Sequence, residues 1–157
     1  MTFSLEQLKA VAACCRTHGA PHYYRDWSLL TLLEYLNFHA QQGTLVVIRP
    51  SATTIAGVGV AWQDEWAAVT ARAVHQRLFA WQPDNPAGDC LVIGHVFVTG
   101  PGPGPLRAMA RWVLTRWPHW ARLRLVTLRR VRGGGHRFRE YPVRMIGRLA
   151  QLEGQTI

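Results

Sequence analysis

Apolar positions recur along this chain with two different periods, and the switches between them lay out its elements. Leu5, Leu8, Val11, Ala12 and Cys15 stand at helical spacing behind Ser4 and Gln7, which form a capping-box pair, and Gly19 is the stop. A second helix is predicted from about Trp27 to Gln42, with Leu29, Leu30, Leu32, Leu33, Leu36 and Phe38 as a wide apolar face and Gly43 closing it. TLVVI and TTIAGVGVAW flank the turn RPSA and read as an antiparallel hairpin, in which Gly57 and Gly59 mark a bulge or a close backbone approach. Asp64 caps a third helix, Glu65 to about Leu78, and QPDNPAGD is a loop by composition.

The continuously apolar run Leu91 to Val98 then predicts a buried strand. It meets TGPGPGP, and the amphipathic segment LRAMARWVLTRW follows, bracketed by Pro105 in its first turn and Pro118 just past its end. RLRLVTLRRV alternates as a half-exposed strand should, Gly133 to Gly135 make a turn, and HRFREYPVRMIGRL supplies a last strand or two. Strands separated by helices, with hairpins at both ends, predict one α/β (α+β) domain over residues 1–157. Its centre is a mixed, mostly antiparallel sheet of about five or six strands covered by helices.

Charge changes this picture by giving the domain a polarity. The net charge is +9, and apart from Lys9 every basic residue is arginine; 12 of the arginines lie between Arg107 and Arg148, whereas the acids fall mostly in the first 90 residues. A cationic C-terminal half favours anionic partners: acidic carrier proteins, CoA phosphates, nucleic acid or anionic lipid. Cys14, Cys15 and Cys90 show neither CxxC nor a repeating spacing, so neither a disulfide framework nor a zinc site is expected. The N-terminus lacks the cationic start of a signal peptide, and no apolar run approaches the ~20 residues that span a bilayer. The expectation is a soluble, cytoplasmic protein without a transmembrane segment.

A buried strand feeding a glycine-rich turn that opens a helix aims backbone N–H groups at an anion. Gly100, Gly102 and Gly104 alternate with Pro101 and Pro103, which is neither the P-loop nor the dinucleotide spacing. The turn is therefore either a ligand cradle or a plain connector. Taken in order, the layout of two N-terminal helices, hairpin, helix, central strand, glycine turn, helix and terminal strands resembles the GNAT acyltransferase fold. That resemblance implies a turn that binds the pyrophosphate of CoA, with Gly102 and Gly104 matching the glycines of the consensus Q/R-x-x-G-x-G/A and Thr99 at its Q/R position.

Arg25-Asp26-Trp27, Ala61-Trp62, the strand Leu91 to Val98 and Trp117-Pro118 are similar to elements of the toxin-activating lysine acyltransferases, a GNAT-like family that takes a fatty acyl group from an acyl carrier protein. The family's catalytic histidine falls on Tyr24, with His22 two residues earlier, and its central-strand aspartate falls on Gly94, next to His95. The resemblance implies an acyl-CoA or acyl-carrier-protein thioester as donor, and an amine or lysine as acceptor.

Acyl transfer to an amine needs a proton acceptor, a donor near the thioester carbonyl and a cradle for the cofactor arm. His95 interrupts an apolar strand just before the turn and is the candidate base, or else a core histidine. Catalysis at His95 requires it to face an open cleft beside the glycine turn. His22 and Tyr24 lie on an aromatic loop that could supply an acid or simply pack. The cradle would comprise Thr99, Gly100, Gly102 and Gly104, with Arg107 and Arg111 one turn apart on the following helix to reach a phosphate.

A second class stands beside the enzyme: a catalytically inactive GNAT-like basic module that binds nucleic acid or an acidic protein. Arg129, Arg130, Arg132, Arg137 and Arg139 surround a glycine turn with His136 and Phe138 interleaved, the composition of a phosphate-gripping hairpin or of a solvated one. Trp66, Trp112, Trp117 and Trp120 lie on or beside apolar helix faces, as core or as a homodimer seam. His18 and His22 stand four apart but straddle the helix stop at Gly19 and share no helix face, so no metal is expected, and no G-x-S-x-G nucleophile motif is present.

Overall fold

A computed structural model describes residues 2–19, 27–72, 81–130 and 136–151. Helix α1 spans Leu5–His18 and begins as the sequence requires: Ser4 Oγ accepts from the Gln7 N–H while the Gln7 side chain accepts from the Ser4 N–H. Helix α2 spans Leu29–Gln42. It starts two residues later than expected because Ser28, not a residue before Trp27, caps it, and it ends where Gly43 adopts the left-handed conformation at φ 69°. Its buried stripe is Leu32, Tyr35, Leu36 and His39. Leu29 and Leu30, expected on the apolar face, are largely exposed.

Strands β1 (Leu45–Ile48) and β2 (Gly57–Asp64) form the expected antiparallel hairpin, and helix α3 covers Trp66–Arg72. Strand β3 runs Cys90–Val98, helix α4 Gly104–Arg116, a 3-10 turn Trp120–Arg122, strand β4 Arg124–Arg130 and strand β5 His136–Tyr141. The final segment is not a second strand. Pro142 cannot extend the ladder, and Ile146, Leu149 and Ala150 then take helical spacing in α5, Arg144–Gln151.

The five strands form one sheet in the order β1-β2-β3-β4-β5. Every neighbouring pair is antiparallel except β3 and β4, which run parallel. All eight residues of β2 are buried, as befits a strand flanked by two others and covered on both faces. One core lies between the sheet and α1, α2 and α3, around Val11, Leu36, Val58, Trp62 and Val69. The other lies on the opposite face under α4 and α5, around Leu91, Val113, Trp117, Leu125 and Ile146. The close approach expected at the β2 glycines is present: a Cβ on Gly57 would collide with the Met109 side chain of α4.

Candidate functional site

Strand β3 pairs with β2 along its whole length, but with β4 only from Cys90↔Arg124 to Ile93↔Thr127. Beyond that point the described parts of β3 and β4 separate, and the sheet splits between two parallel strands. The split coincides with a bulge. Ala61 faces Ile93 while Val60 faces His95, so Gly94 is an extra residue on β3. Only glycine fits there, because a Cβ would stand 2.6 Å from Cζ3 of the buried Trp62 ring.

The bulge decides where His95 points. Strict alternation from Val92 would turn it toward α4, and the extra residue reverses that, setting it beside Val60 on the face covered by α1 and α2. There its Nδ1 lies 2.7 Å from the Tyr35 hydroxyl, with the rings edge to face at 5.7 Å. His39, one turn further along α2, holds Thr44 Oγ1 through its own Nδ1 at 2.8 Å and stacks on Trp62. Burial, and secondarily the neighbouring His39, lowers the pKa of His95 to about 3, so the imidazole is neutral at ordinary pH.

The other face of the split carries a cavity of about 280 Å³. Gly59, Ala61 and Ala110 are too small to fill the space between sheet and helices, and the larger Met109, Trp112 and Ile146 wall it. Its lining is apolar apart from the Thr127 and Tyr141 side chains at the β4–β5 end. Ile93 and Val96 both line it, so Gly94 and His95 occupy the strand between two cavity residues while His95 faces away. The cavity lining includes no residue of the glycine turn, and His95 stands on the opposite side of the sheet from the cavity, so the expected open cleft that His95 would face beside the turn is not formed by these residues.

The glycine turn is open. A Cβ on Gly100, Gly102 or Gly104 would meet nothing within 4 Å, and Gly102 has φ 96°, which a side chain would resist. Helix α4 starts at Gly104 behind Pro103 with no side-chain cap, and with Pro105 lacking an N–H, the N–H groups of Gly104 and Leu106 are the ones open at its start. Two expected cradle residues are committed elsewhere. Thr99 donates its hydroxyl to the Ile55 carbonyl and its N–H to the Ala56 carbonyl, fastening β3 to the β1–β2 connection. Arg111 donates from Nε to the Ala150 carbonyl and so caps the end of α5 instead of reaching forward to the turn. Arg107 lies in the first turns of α4, its N–H bonded to the Pro103 carbonyl.

His22, Tyr24 and Arg132 lie outside the described residues, as do the side chains of Arg129, Arg130 and Arg137. The backbone register does set Arg129 opposite Arg137 across the β4–β5 hairpin, and Arg139 lies over the Tyr141 ring at 4.9 Å. Cys90 is no nucleophile, since burial, and then Asp89, pushes its thiol up to about 12. Among the described residues no group of three or more His, Cys, Asp or Glu could hold a metal ion, and no helix is long and apolar enough to cross a membrane.

Sequence reasoning missed Tyr35. Its spacing of three from Leu32 and four from His39 puts it on the buried stripe, a signal that the run of leucines beside it masks. No protein-family model matches the chain, and no curated protein matches it.

Proposed function

We propose that the chain is an acyltransferase-like protein that takes an acyl group from a CoA or carrier-protein thioester and delivers it to an amine, on a GNAT-like fold. The observation that carries this reading is the split between parallel β3 and β4, which opens beside an apolar cavity. A void of about 150 Å³ is enough to hold benzene. The space here is nearly twice that, which suits an alkyl chain better than an acetyl group. The uncapped start of α4 and the open turn at Gly102 would receive a phosphate of the donor arm.

In this reading the thioester carbonyl lies in the split, with its acyl chain in the apolar cavity. The C–N bond forms as the C–S bond breaks, and the proton lost by nitrogen passes to the leaving thiolate. His95 faces the other side of the sheet with its Nδ1 taken up by Tyr35 and so does not serve as the base, and the acceleration would come from holding amine and thioester together.

The test is thiol release from acetyl-, octanoyl- and palmitoyl-CoA in the presence of a lysine peptide. Release that favours the longer chains, and loses that preference in Ala110→Phe, which fills the cavity, supports the proposal; no binding and no release of any donor overturns it. The Tyr35–His95 bond favours one second reading, in which the histidine is only structural and the fold is a basic binding module. That reading predicts oligonucleotide or acidic-protein binding that weakens steeply with salt, and no turnover.

A further inference from the structure

A second groove, of about 490 Å³, runs along the outside of the sheet between the N-terminal residues Thr2 and Phe3, strand β1, and Trp112 and Arg116 of α4. Strand β1 is the end of the strand order, so no described strand pairs with its outer edge. The Ala61 N–H donates to the Thr44 carbonyl and the Ala56 N–H to the Ile48 carbonyl, which turns alternate β1 residues toward β2. The antiparallel alternation then leaves the N–H and C=O groups of Leu45 and Val47 directed outward into the groove.

The two arginines of this groove differ. Arg116 is committed: Nε donates to the Gly43 carbonyl at 3.0 Å, and Nη2 pairs with Asp84 at 2.9 Å. Arg49, one residue beyond β1, has a buried Nε with no acceptor among the described residues. Arg49 lines the groove and is paired with no acid among the described residues, and a carboxylate is the partner that best complements its guanidinium. A second copy of the chain is a poor occupant, because an edge-to-edge dimer would oppose two chains of net charge +9 and bring in another Arg49.

We infer that the outer edge of β1 is a docking site for an extended acidic peptide. The peptide adds as a strand through the main chain of Leu45 and Val47, and one of its carboxylates reaches Arg49. Apolar side chains on its other face would lie against Phe3 and Trp112.

The test uses three eight-residue probes on the full chain: an alternating Val-Glu peptide, its Val-Gln counterpart, and the Val-Glu peptide with alternate amides N-methylated. The first is expected to bind about tenfold or more tighter than each of the others, since it alone offers both the strand and the charge. It should also slow amide exchange at Leu45 and Val47. Arg49→Gln should erase the preference for Glu over Gln while leaving the penalty of N-methylation. Equal binding of the N-methylated and unmethylated acidic probes would reduce the effect to non-specific charge and overturn the proposal. So would an Arg49→Gln chain that still prefers Glu, or a dimer whose β1 amides are protected without peptide. If Arg49→Gln does not fold, the three probes on the unaltered chain still decide.

Discussion

Tyr35 and His95, sixty residues apart in sequence, meet through a 2.7 Å hydrogen bond between the phenol oxygen and Nδ1. A phenol is the better donor of the two, so Nδ1 accepts and the ring hydrogen sits on Nε2. The bond ties the middle of α2 to the bulge in β3, the place where the sheet opens. It therefore links the orientation of this histidine to the packing of the helical layer.

Removing the phenol tests how much that link contributes. Tyr35→Phe leaves Nδ1 buried without its donor, which should destabilise the fold by about 1–3 kcal/mol. At this chain length that is a fall in Tm of roughly 2–4 °C for each kcal/mol. Thermal denaturation reads it directly, and an unchanged Tm would mean that the bond adds nothing to stability.

Acid should unfold the protein through the same histidine. Burial, then His39, holds His95 neutral down to about 3, whereas in the unfolded chain it takes up a proton near 6.5. Between those values the unfolded state binds more protons, so stability rises with pH and is lost as pH falls through that window. The slope from this one group is at most about 1.4 kcal/mol per pH unit. Urea titrations between about pH 7 and pH 4 should show the loss, and His95→Leu should flatten it. Equal acid sensitivity in the variant would place the effect elsewhere.

The legible parts of this fold are those whose cause is local. Ser4 with Gln7, and Gly43 at its turn, announce helix ends because caps and left-handed glycines act within a few residues. Strand β3 is legible from its near-continuous apolarity, but the expectation that the whole run is buried holds only for Cys90–Val92, since Val96 and Val98 are exposed beyond the end of the pairing with β4. Helix α5 was hidden by its shortness and by the Tyr-Pro-Val break before it, which reads equally well as a strand that resumes. The bulge at Gly94 has no local signature, since the extra residue exists only relative to Val60 and Ala61 on the neighbouring strand. His95 was thus identifiable as a candidate, but its direction was not. Thr99 and Arg111 read as ligand-facing for the same reason: their partners, Ile55 and Ala150, are distant in sequence.

Asp84 stands in a loop that composition marks as unremarkable, yet it ties strand β2 to the end of α4. Its Oδ1 accepts from the Gln63 N–H at 2.7 Å and from the Trp117 indole at 3.3 Å, and Oδ2 pairs with Arg116 at 2.9 Å. Its side chain is 9% exposed, so these bonds are shielded from water. Asp84→Ala leaves the Gln63 N–H and a buried indole N–H without this acceptor and removes the ion-pair partner of Arg116, which keeps the Gly43 carbonyl, and about 2–4 kcal/mol of stability should be lost. Asp84→Asn should lose less, because the amide oxygen can still accept from Gln63. Urea midpoints of the two variants measure the difference, and equal losses would show that the charge on Asp84, not its acceptor geometry, holds the loop.

Two glycines against the sheet should respond differently to the same added methyl group. At Gly94 the new Cβ meets the Trp62 ring, 2.6 Å from Cζ3 and 3.2 Å from Cη2. That ring is buried and stacked on His39, which is itself held by Thr44, so it has nowhere to move. The bulge must give instead, and Gly94→Ala should cost about 1–3 kcal/mol, as overpacking of a filled core does. At Gly57 the first obstacle is the terminal methyl of Met109, a flexible chain that also lines the apolar cavity and can turn into it. Gly57→Ala should therefore cost less. It should also shrink the cavity, weakening the preference for long acyl donors over short ones. Chemical denaturation of the pair, with donor binding measured on Gly57→Ala, checks both statements; a larger loss at Gly57 than at Gly94 would mean that the Trp62 ring, not the methionine, is the mobile wall.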